Sequence, residues 1–316
     1  MDLIKKNRKV KLITTLILVI VIIGGILYGL ADRYLIEHVE VVVANEETGT
    51  KDMVEGDKVT TSNSQSDDWS YTSDDIQIQI DQVQTGSGSD LITYYVADVV
   101  LKDSSSLLSA FADNSFGRNI IDNTSTIAAN NNAIFAVNGD YYGFRDDGVI
   151  IRNGTLFRDS PVRTALALFN DGTMKSFEEE ELSSSSLLQD GVTNTLSFGP
   201  VLIKDGEVID QFDNLKVDTN FGNRSIQGSN PRTGIGMIAP NHYVVIVVDG
   251  RKQGYSKGMT LSELADVFAE LGCTEAYNLD GGGSSTMYFM GRIVNNPLGN
   301  GNERGVSDIL YIKEVN

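Results

Sequence analysis

The chain has 316 residues, 41% of them hydrophobic, which is enough for one large domain or two modest ones with an ample core. Its net charge of −18 argues against a nucleic-acid partner, because phosphate-backbone affinity comes from Lys and Arg. Any anionic substrate must instead be held by a local basic cluster working against the global field. A single cysteine, Cys273, excludes an intramolecular disulfide, and an exported chain of this kind suits a bacterial surface.

Residues 1–11 carry Lys5, Lys6, Arg8, Lys9 and Lys11, and residues 12–30 form an uncharged run rich in Leu, Ile and Val. A helix needs ~20 mostly apolar residues to cross a bilayer, so this run reads as a single transmembrane anchor. The positive-inside rule places the tail in the cytoplasm and the rest outside the cell membrane. The rival is a cleaved signal peptide, with Gly29 and Ala31 as small residues near a cut. The run exceeds the usual ~7–15-residue signal core, which favours an uncleaved anchor. Residues 31–75 are acidic and polar and read as a solvated stalk, apart from the β-like run Val39 to Val43.

An extracellular domain is expected over 76–316. Ile76, Ile78 and Ile80 alternate with polar residues and predict a strand, followed by a second over Leu91 to Leu101. Ser104 to Phe111 and Thr124 to Asn130 read as short helices, and Ala133 to Val137 as a buried strand. Asn153-Gly154, Asn170-Asp171-Gly172 and Asp205-Gly206 each sit between apolar runs and predict hairpins. Glu178 to Gln189 reads as helical, and Arg232 to Ile238 and Tyr243 to Val248 as strands. Thr260 and Glu263 form a capping box for a helix with Leu261, Leu264, Ala265, Phe268 and Leu271 on one face, stopped by Gly272. Strands are expected from Cys273 to Asn278, Thr286 to Phe289 and Val306 to Ile312. The fold class is therefore α+β, a mixed, largely antiparallel sheet domain with a few packed helices, preceded by one transmembrane helix.

The most telling segment is Asn278-Leu279-Asp280-Gly281-Gly282-Gly283-Ser284-Ser285-Thr286. Three consecutive glycines at a strand end cost backbone entropy, yet they let the chain approach a ligand and turn N–H groups toward an anion. A flexible surface turn would not need apolar strands on both sides. Asn138-Gly139-Asp140-Tyr141-Tyr142 leaves another strand, either as ligand-contacting groups or as a plain turn with core aromatics. Arg152, Arg232, Arg251 and Arg304 stand beside strand ends and glycines, where a guanidinium suits phosphate or carboxylate. The Gly234-Ile235-Gly236 pattern lies inside a strand with no helix after it, so a dinucleotide site is rejected. His38 and His242 are too unlike in setting for a triad or a His-rich zinc site, and Cys273 reads as a core thiol.

In order and spacing, these segments resemble the phosphodiester glycosidase family. The matching residues are Ala136 to Tyr142, Arg232 to Gly236, Val247 to Arg251, Gly258 to Ala265, Asn278 to Thr286 and Glu303-Arg304. Asp140-Tyr141-Tyr142 departs from the Gly-Phe-Phe of many relatives. The resemblance implies cleavage between a sugar's anomeric carbon and a phosphodiester, on cell-surface glycopolymers or exopolysaccharide. It makes Asp280 the leading catalytic carboxylate, with Asp249 and Glu303 behind it. Arg232, Arg304 and Gly281, Gly282, Gly283, Ser284 and Ser285 then form a phosphate clamp, with Asn138, Asp140, Arg152 and Arg251 as further substrate contacts. Two alternatives stay open: a P–O-cleaving phosphodiesterase or transferase of teichoic-acid-like polymers, and a non-catalytic polysaccharide-binding module. No cofactor is expected, and nothing in the sequence calls for a divalent metal.

Overall fold

The computed structural model describes residues 2–43, 64–209, 212 and 226–313, with side chains from residue 11 onward. Helix α1 (Asp2–Tyr34) contains a stretch, Lys11–Tyr34, long and apolar enough to cross a membrane, and none of that stretch is buried. Strand β1 (His38–Val42) follows after three residues. Residues 44–63, the Ser/Thr-rich part of the expected stalk, lie outside the described residues. Next come β2 (Gln65–Ser66), β3 (Ser70–Thr72), β4 (Ile76–Thr85), β5 (Ile92–Leu101), β6 (Leu107–Phe111) and β7 (Ser115–Arg118). Helix α2 (Thr124–Asn130) leads to β8 (Phe135–Asn138), and the hairpin β9 (Gly148–Arg152) and β10 (Thr155–Ser160) turns at Asn153-Gly154. After β11 (Thr164–Phe169) and β12 (Met174–Glu178) come α3 (Ser184–Gln189), β13 (Val192–Leu196), β14 (Val201–Lys204) and β15 (Glu207–Val208). The chain ends with β16 (Arg232–Ala239), β17 (His242–Val248), α4 (Leu261–Glu270), β18 (Glu275–Asn278), β19 (Met287–Phe289), β20 (Arg292–Ile293) and β21 (Asp308–Ile312).

The expected α+β class holds. A nine-stranded antiparallel sheet runs β15-β14-β18-β16-β17-β5-β4-β3-β2, and a five-stranded one runs β20-β19-β8-β21-β6. The main core lies between them. Ile76, Ile78 and Ile80 of β4 point inward to meet Phe135 and Val137 of β8 and Leu310 and Ile312 of β21. Their two-residue period made one face of β4 apolar, and that face is the buried one. Helix α4 covers the opposite face of the large sheet with Leu261, Leu264, Ala265 and Phe268, and α2 covers the five-stranded sheet with Ile127 and Ala128.

Gly234 and Gly236 let α4 come close. A Cβ on either would stand 2.8 Å from the Phe268 ring, and on Gly236 also 2.8 Å from Cys273 Sγ. The glycine pair that mimics a dinucleotide motif is therefore a packing device, and burial pushes the Cys273 thiol up to about 12. The predicted capping box is present: Thr260 Oγ1 accepts from Glu263 N at 3.2 Å, and Glu263 Oε2 accepts from Thr260 N at 2.7 Å. Thr260→Ala is expected to cost about 1 kcal/mol, read as a lower Tm in a thermal melt.

Three expectations change. Ser104 to Phe111 is not a helix: a single tight turn over Ser104–Ser106 leads into β6, which pairs with β21 from Leu107↔Ile312 to Phe111↔Asp308. The serines are weak helix formers, and cross-strand pairing overrides a short apolar run of either period. In Glu178 to Gln189 only Ser184–Gln189 is helical, because Ser183 caps it and Glu178 finishes β12. The stalk is not a spacer at its described ends. Strand β1 pairs with β7, and β3 joins the large sheet and buries Tyr71 at 4% exposure. The β-like run Val39 to Val43 thus packs on the domain as β1, while averaged polarity hides β3 and its one core aromatic.

Candidate active site

Strands β8 and β18 come from different sheets, yet their C-terminal ends meet. Asn138, the last residue of β8, donates from Nδ2 to the backbone oxygen of Asp280 at 2.6 Å. Its Oδ1 accepts from Thr233 Oγ1 at 2.7 Å and from Thr286 N at 3.3 Å. Asn138 is 1% exposed, so it ties the mouths of the two sheets together from within.

The glycine run passes through this junction between two guanidinium groups. Gly281 is pressed against the Pro231 carbonyl, 2.8 Å from where a Cβ would sit. Gly282 has φ +66° and donates its N–H to the same carbonyl at 2.9 Å. A Cβ on Gly282 would meet Arg251 Nη2 at 3.1 Å, and one on Gly283 would meet Arg304 Cδ at 3.1 Å. Arg304 Nη2 reaches Asp280 Oδ2 at 3.1 Å and Ser284 Oγ at 2.5 Å, and Ser284 Oγ donates to the same Oδ2 at 2.5 Å. Burial pushes the Asp280 carboxyl above its ordinary range, opposed by Arg304 and the Ser284 hydroxyl. The side chain of Arg304 is 47% exposed, so one face of this group opens outward. Ser285 Oγ and Thr286 Oγ1 are buried with no hydrogen-bond partner among the described residues.

Arg232 lies beneath the run, but its fork is occupied. It donates to the backbone oxygens of Met259, Ile226 and Gly228, and burial followed by repulsion from Arg251 lowers it to about 10. It therefore adds positive field below the glycines and holds their neighbouring loop.

Arg152 and Asp140, expected as substrate contacts, sit elsewhere. The Arg152 side chain is 1% exposed, donates to Asp308 Oδ2 from Nε at 2.8 Å and stands in ion-pair contact with it through Nη2 at 2.7 Å. Asp140 Oδ2 accepts from Ser197 N at 2.6 Å and lies 3.7 Å from Arg152 Nη2. Both are interior struts joining β8, β9, β13 and β21. Burial pushes the Asp308 carboxyl up to about 6, against the attraction of Arg152, from a reference of 3.8. Between those values the folded chain keeps a proton that the unfolded chain has released. This group's contribution to stability is therefore full below pH ~4 and lost as pH rises through ~6. Tm measured against pH is expected to show that fall in the wild type and to lack it in Asp308→Asn.

The two secondary carboxylates are also committed. Asp249 is 2% exposed and accepts from Tyr255 OH at 2.7 Å, Asn295 Nδ2 at 2.9 Å and Asn296 N at 3.0 Å. It pins two loops beside the glycine run, with its own pKa raised by burial. Glu303 turns away from Arg304 and accepts from the backbone N and hydroxyl of Ser125, at the start of α2. Glu303→Gln is expected to lower stability by about 0.3–1 kcal/mol through that helix end while changing kcat less than about tenfold. A larger kcat loss at unchanged Tm would restore Glu303 as a catalytic group.

Sequence reading missed an aromatic and cationic cluster in the loop after β8. Tyr141 and Phe144 stack at 4.8 Å, Phe198 stands edge-on to Tyr141 at 6.1 Å, and Arg145 lies 5.1 Å from both Tyr141 and Phe198. The positive charge of Arg145 helps to lower the Asp280 pKa. The cluster's signal was the aromatic pair after Asp140, which reads equally well as core. Among the described residues no group of three or more His, Cys, Asp or Glu is placed to hold a metal ion.

The family model for phosphodiester glycosidases matches residues 131–313, which contain Asn138, Asp280 and Arg304. The chain belongs to the phosphodiester glycosidase family. Among family-like chains, it is 31% identical over 206 residues to the SPβ prophage-derived uncharacterized protein YomE of Bacillus subtilis (strain 168). That match covers 62% of this chain and 30% of YomE, so the chain spans about a third of that relative's length. The catalytic domain of zebrafish N-acetylglucosamine-1-phosphodiester α-N-acetylglucosaminidase, auto-inhibited by its pro-peptide, shares the fold. The TM-score is 0.58 at 20% identity, covering 76% of this chain and 84% of that one. A hypothetical protein from Synechocystis is similar in fold, with TM-score 0.54, 16% identity and coverage of 75% and 62%. In this member of the family, the matched region starts just after α2 and takes in all of β8 to β21.

Proposed function

We propose that this chain is a membrane-anchored hydrolase, its domain outside the cell, that cleaves the glycosidic bond of sugar-1-phosphodiesters in cell-surface glycopolymers or exopolysaccharide. The observation that carries the reading is the glycine run lying between Arg251 and Arg304, with the Asp280 carboxylate at its entry. Two guanidinium groups and a backbone free of side chains suit a phosphate. A phosphate monoester departs readily, so strong general-acid help is less needed than with ordinary glycosides. The remaining task is the electron-poor anomeric carbon, and Asp280 serves it as nucleophile or as base for water. The half-buried Tyr141 and Phe144 rings, backed by the buried Phe198, offer an apolar face on which a sugar ring could stack. Helix α1, with basic residues before its apolar run, supports a single-pass anchor with the domain outside.

The test is hydrolysis of a sugar-1-phosphodiester in heavy-oxygen water. Label is expected on the sugar hydroxyl. Label confined to the phosphate would mean P–O cleavage and would replace this reading with the phosphodiesterase one.

A further inference from the structure

We infer that the sugar phosphodiester taken by this site is carried on a long-chain lipid alcohol in the same membrane that holds α1. The inference rests on the proposed glycosidase reading and narrows its substrate class. The apolar run of α1 from residue 12 to 31 spans about 30 Å at 1.5 Å per residue, so Asp32 falls at the bilayer surface. From that point the domain is bolted on. Asn119 Nδ2 donates to the carbonyl oxygens of Asp32 at 3.2 Å and Ile36 at 2.8 Å. The first is a carbonyl of the last turn of α1, which His38 Nε2 also approaches at 3.1 Å, and the second lies two residues past the helix. Strand β1 begins at His38 and pairs with β7 from His38↔Arg118 to Val42↔Ser115. The fit is tight at Gly117, where a Cβ would stand 1.9 Å from the His38 carbonyl oxygen.

The same struts lead to the site. Asn119 N donates to the Gly143 carbonyl at 2.9 Å, in the loop that carries Tyr141 and Phe144. Arg158 lies 3.8 Å from Glu40 of β1 and donates to the carbonyl oxygens of Tyr142 and Arg145. Ile121, two residues past Asn119, packs at 3.0 Å from where a Gly305 Cβ would be, and Arg304 precedes Gly305. Asp122 and Val306 exchange backbone hydrogen bonds, N to O, at 3.1 and 2.8 Å. Asn119, Ile121 and Gly305 thus form one chain of contacts from the end of α1 toward the Arg304–Asp280 pair.

Along this path exposed aliphatic side chains stand among the charged Arg33, Glu37 and Glu40. Leu35 is 78% exposed, Val39 54%, Val42 70%, Ile121 44% and Leu298 41%. Leu298 stands 3.3 Å from where a Gly283 Cβ would be, at the edge of the glycine run. Exposed aliphatic side chains between a membrane helix and an arginine-lined site are costly facing water and favourable against lipid tails. A lipid alcohol rising from the bilayer would cover them while its phosphate reached Arg251 and Arg304. Hydrolysis places the water oxygen on the anomeric carbon and breaks its bond to the phosphodiester oxygen. The sugar leaves with a free hydroxyl, and the lipid monophosphate takes the second water hydrogen.

The experiment uses the full chain reconstituted in phospholipid vesicles. One substrate is a polyprenyl-phosphate sugar in the same bilayer, the other a water-soluble nucleotide sugar. The wild type is expected to cleave the lipid substrate with kcat/KM roughly tenfold or more above the soluble one. Inserting about ten Gly/Ser residues after Glu37 uncouples the domain from α1 and is expected to lower turnover of the lipid substrate roughly tenfold. The soluble substrate should stay within about twofold. Asn119→Ala should move the same way by a smaller factor. Equal loss on both substrates, or a wild type that prefers the soluble one, overturns the lipid assignment and leaves the glycosidase reading standing. Cleavage of neither substrate by the wild type overturns both.

Discussion

Asp280→Asn is expected to lower kcat on a sugar-1-phosphodiester by about 10²–10⁴-fold while Tm stays level or rises. The two parts follow from one fact: the carboxylate is buried at the end of β18, and burial raises its pKa. A charge held against its desolvation cost weakens the fold unless its partners repay it. Here the ion-pair partner is Arg304, whose side chain is 47% exposed and can return to water. Asparagine preserves the shape and can still accept from Ser284, but it can neither attack the anomeric carbon nor take a proton. Steady-state kinetics with a thermal melt on the same sample checks both. A Tm that falls in step with activity would reduce Asp280 to a structural residue.

Arg152→Leu is expected to give the largest loss of stability of any substitution considered, about 3–5 kcal/mol, because it strands a buried carboxylate. For a domain of this size that is a fall in Tm of roughly 6–20 °C. Asp308 and Asp140 both lean on Arg152, and its side chain is 1% exposed. Removing the charge of Asp308 as well should restore much of the loss, so Arg152→Leu with Asp308→Leu is expected to melt well above the single variant. A single variant that keeps its Tm but raises KM strongly would return Arg152 to substrate binding. Arg304→Leu also removes the ion-pair partner of a buried carboxylate, Asp280, so activity should fall together with Tm, by less than in Arg152→Leu because Arg304 itself is half exposed.

These two arginines show how far the sequence could be read. Both precede a glycine or an Asn-Gly turn beside a strand, and both carry the same chemistry. Which one opens to solvent depends on Asp308, the first residue of β21, which lies 156 positions from Arg152. Local pattern holds no information about such a pairing. Glu303 and Asp280 pose the same problem: each stands near glycines, but one turns to Ser125 at the start of α2 and the other to Arg304. Tyr141 and Phe144 read equally well as core or surface, and the placement of Phe198 beside them comes from the far side of the three-stranded sheet.

What the chain alone determined is whatever rests on near-neighbour physics. The Asn-Gly and Asp-Gly hairpins, the capped helix α4 and the alternation in β4 depend on backbone preference and periodicity. The apolar length of α1 and the unusual cost of three glycines are likewise legible one residue at a time. The family resemblance belongs here too, because its motifs are short and ordered. Tertiary structure alone decided which charges meet. It put β8 and β18 mouth to mouth, sent Arg152 into the core and left Arg304 at the surface. It also gave the β-like run after α1 its partner, pairing β1 with β7. Charge pairing and burial are set by residues far apart in sequence, and their energies change sign with the dielectric around them.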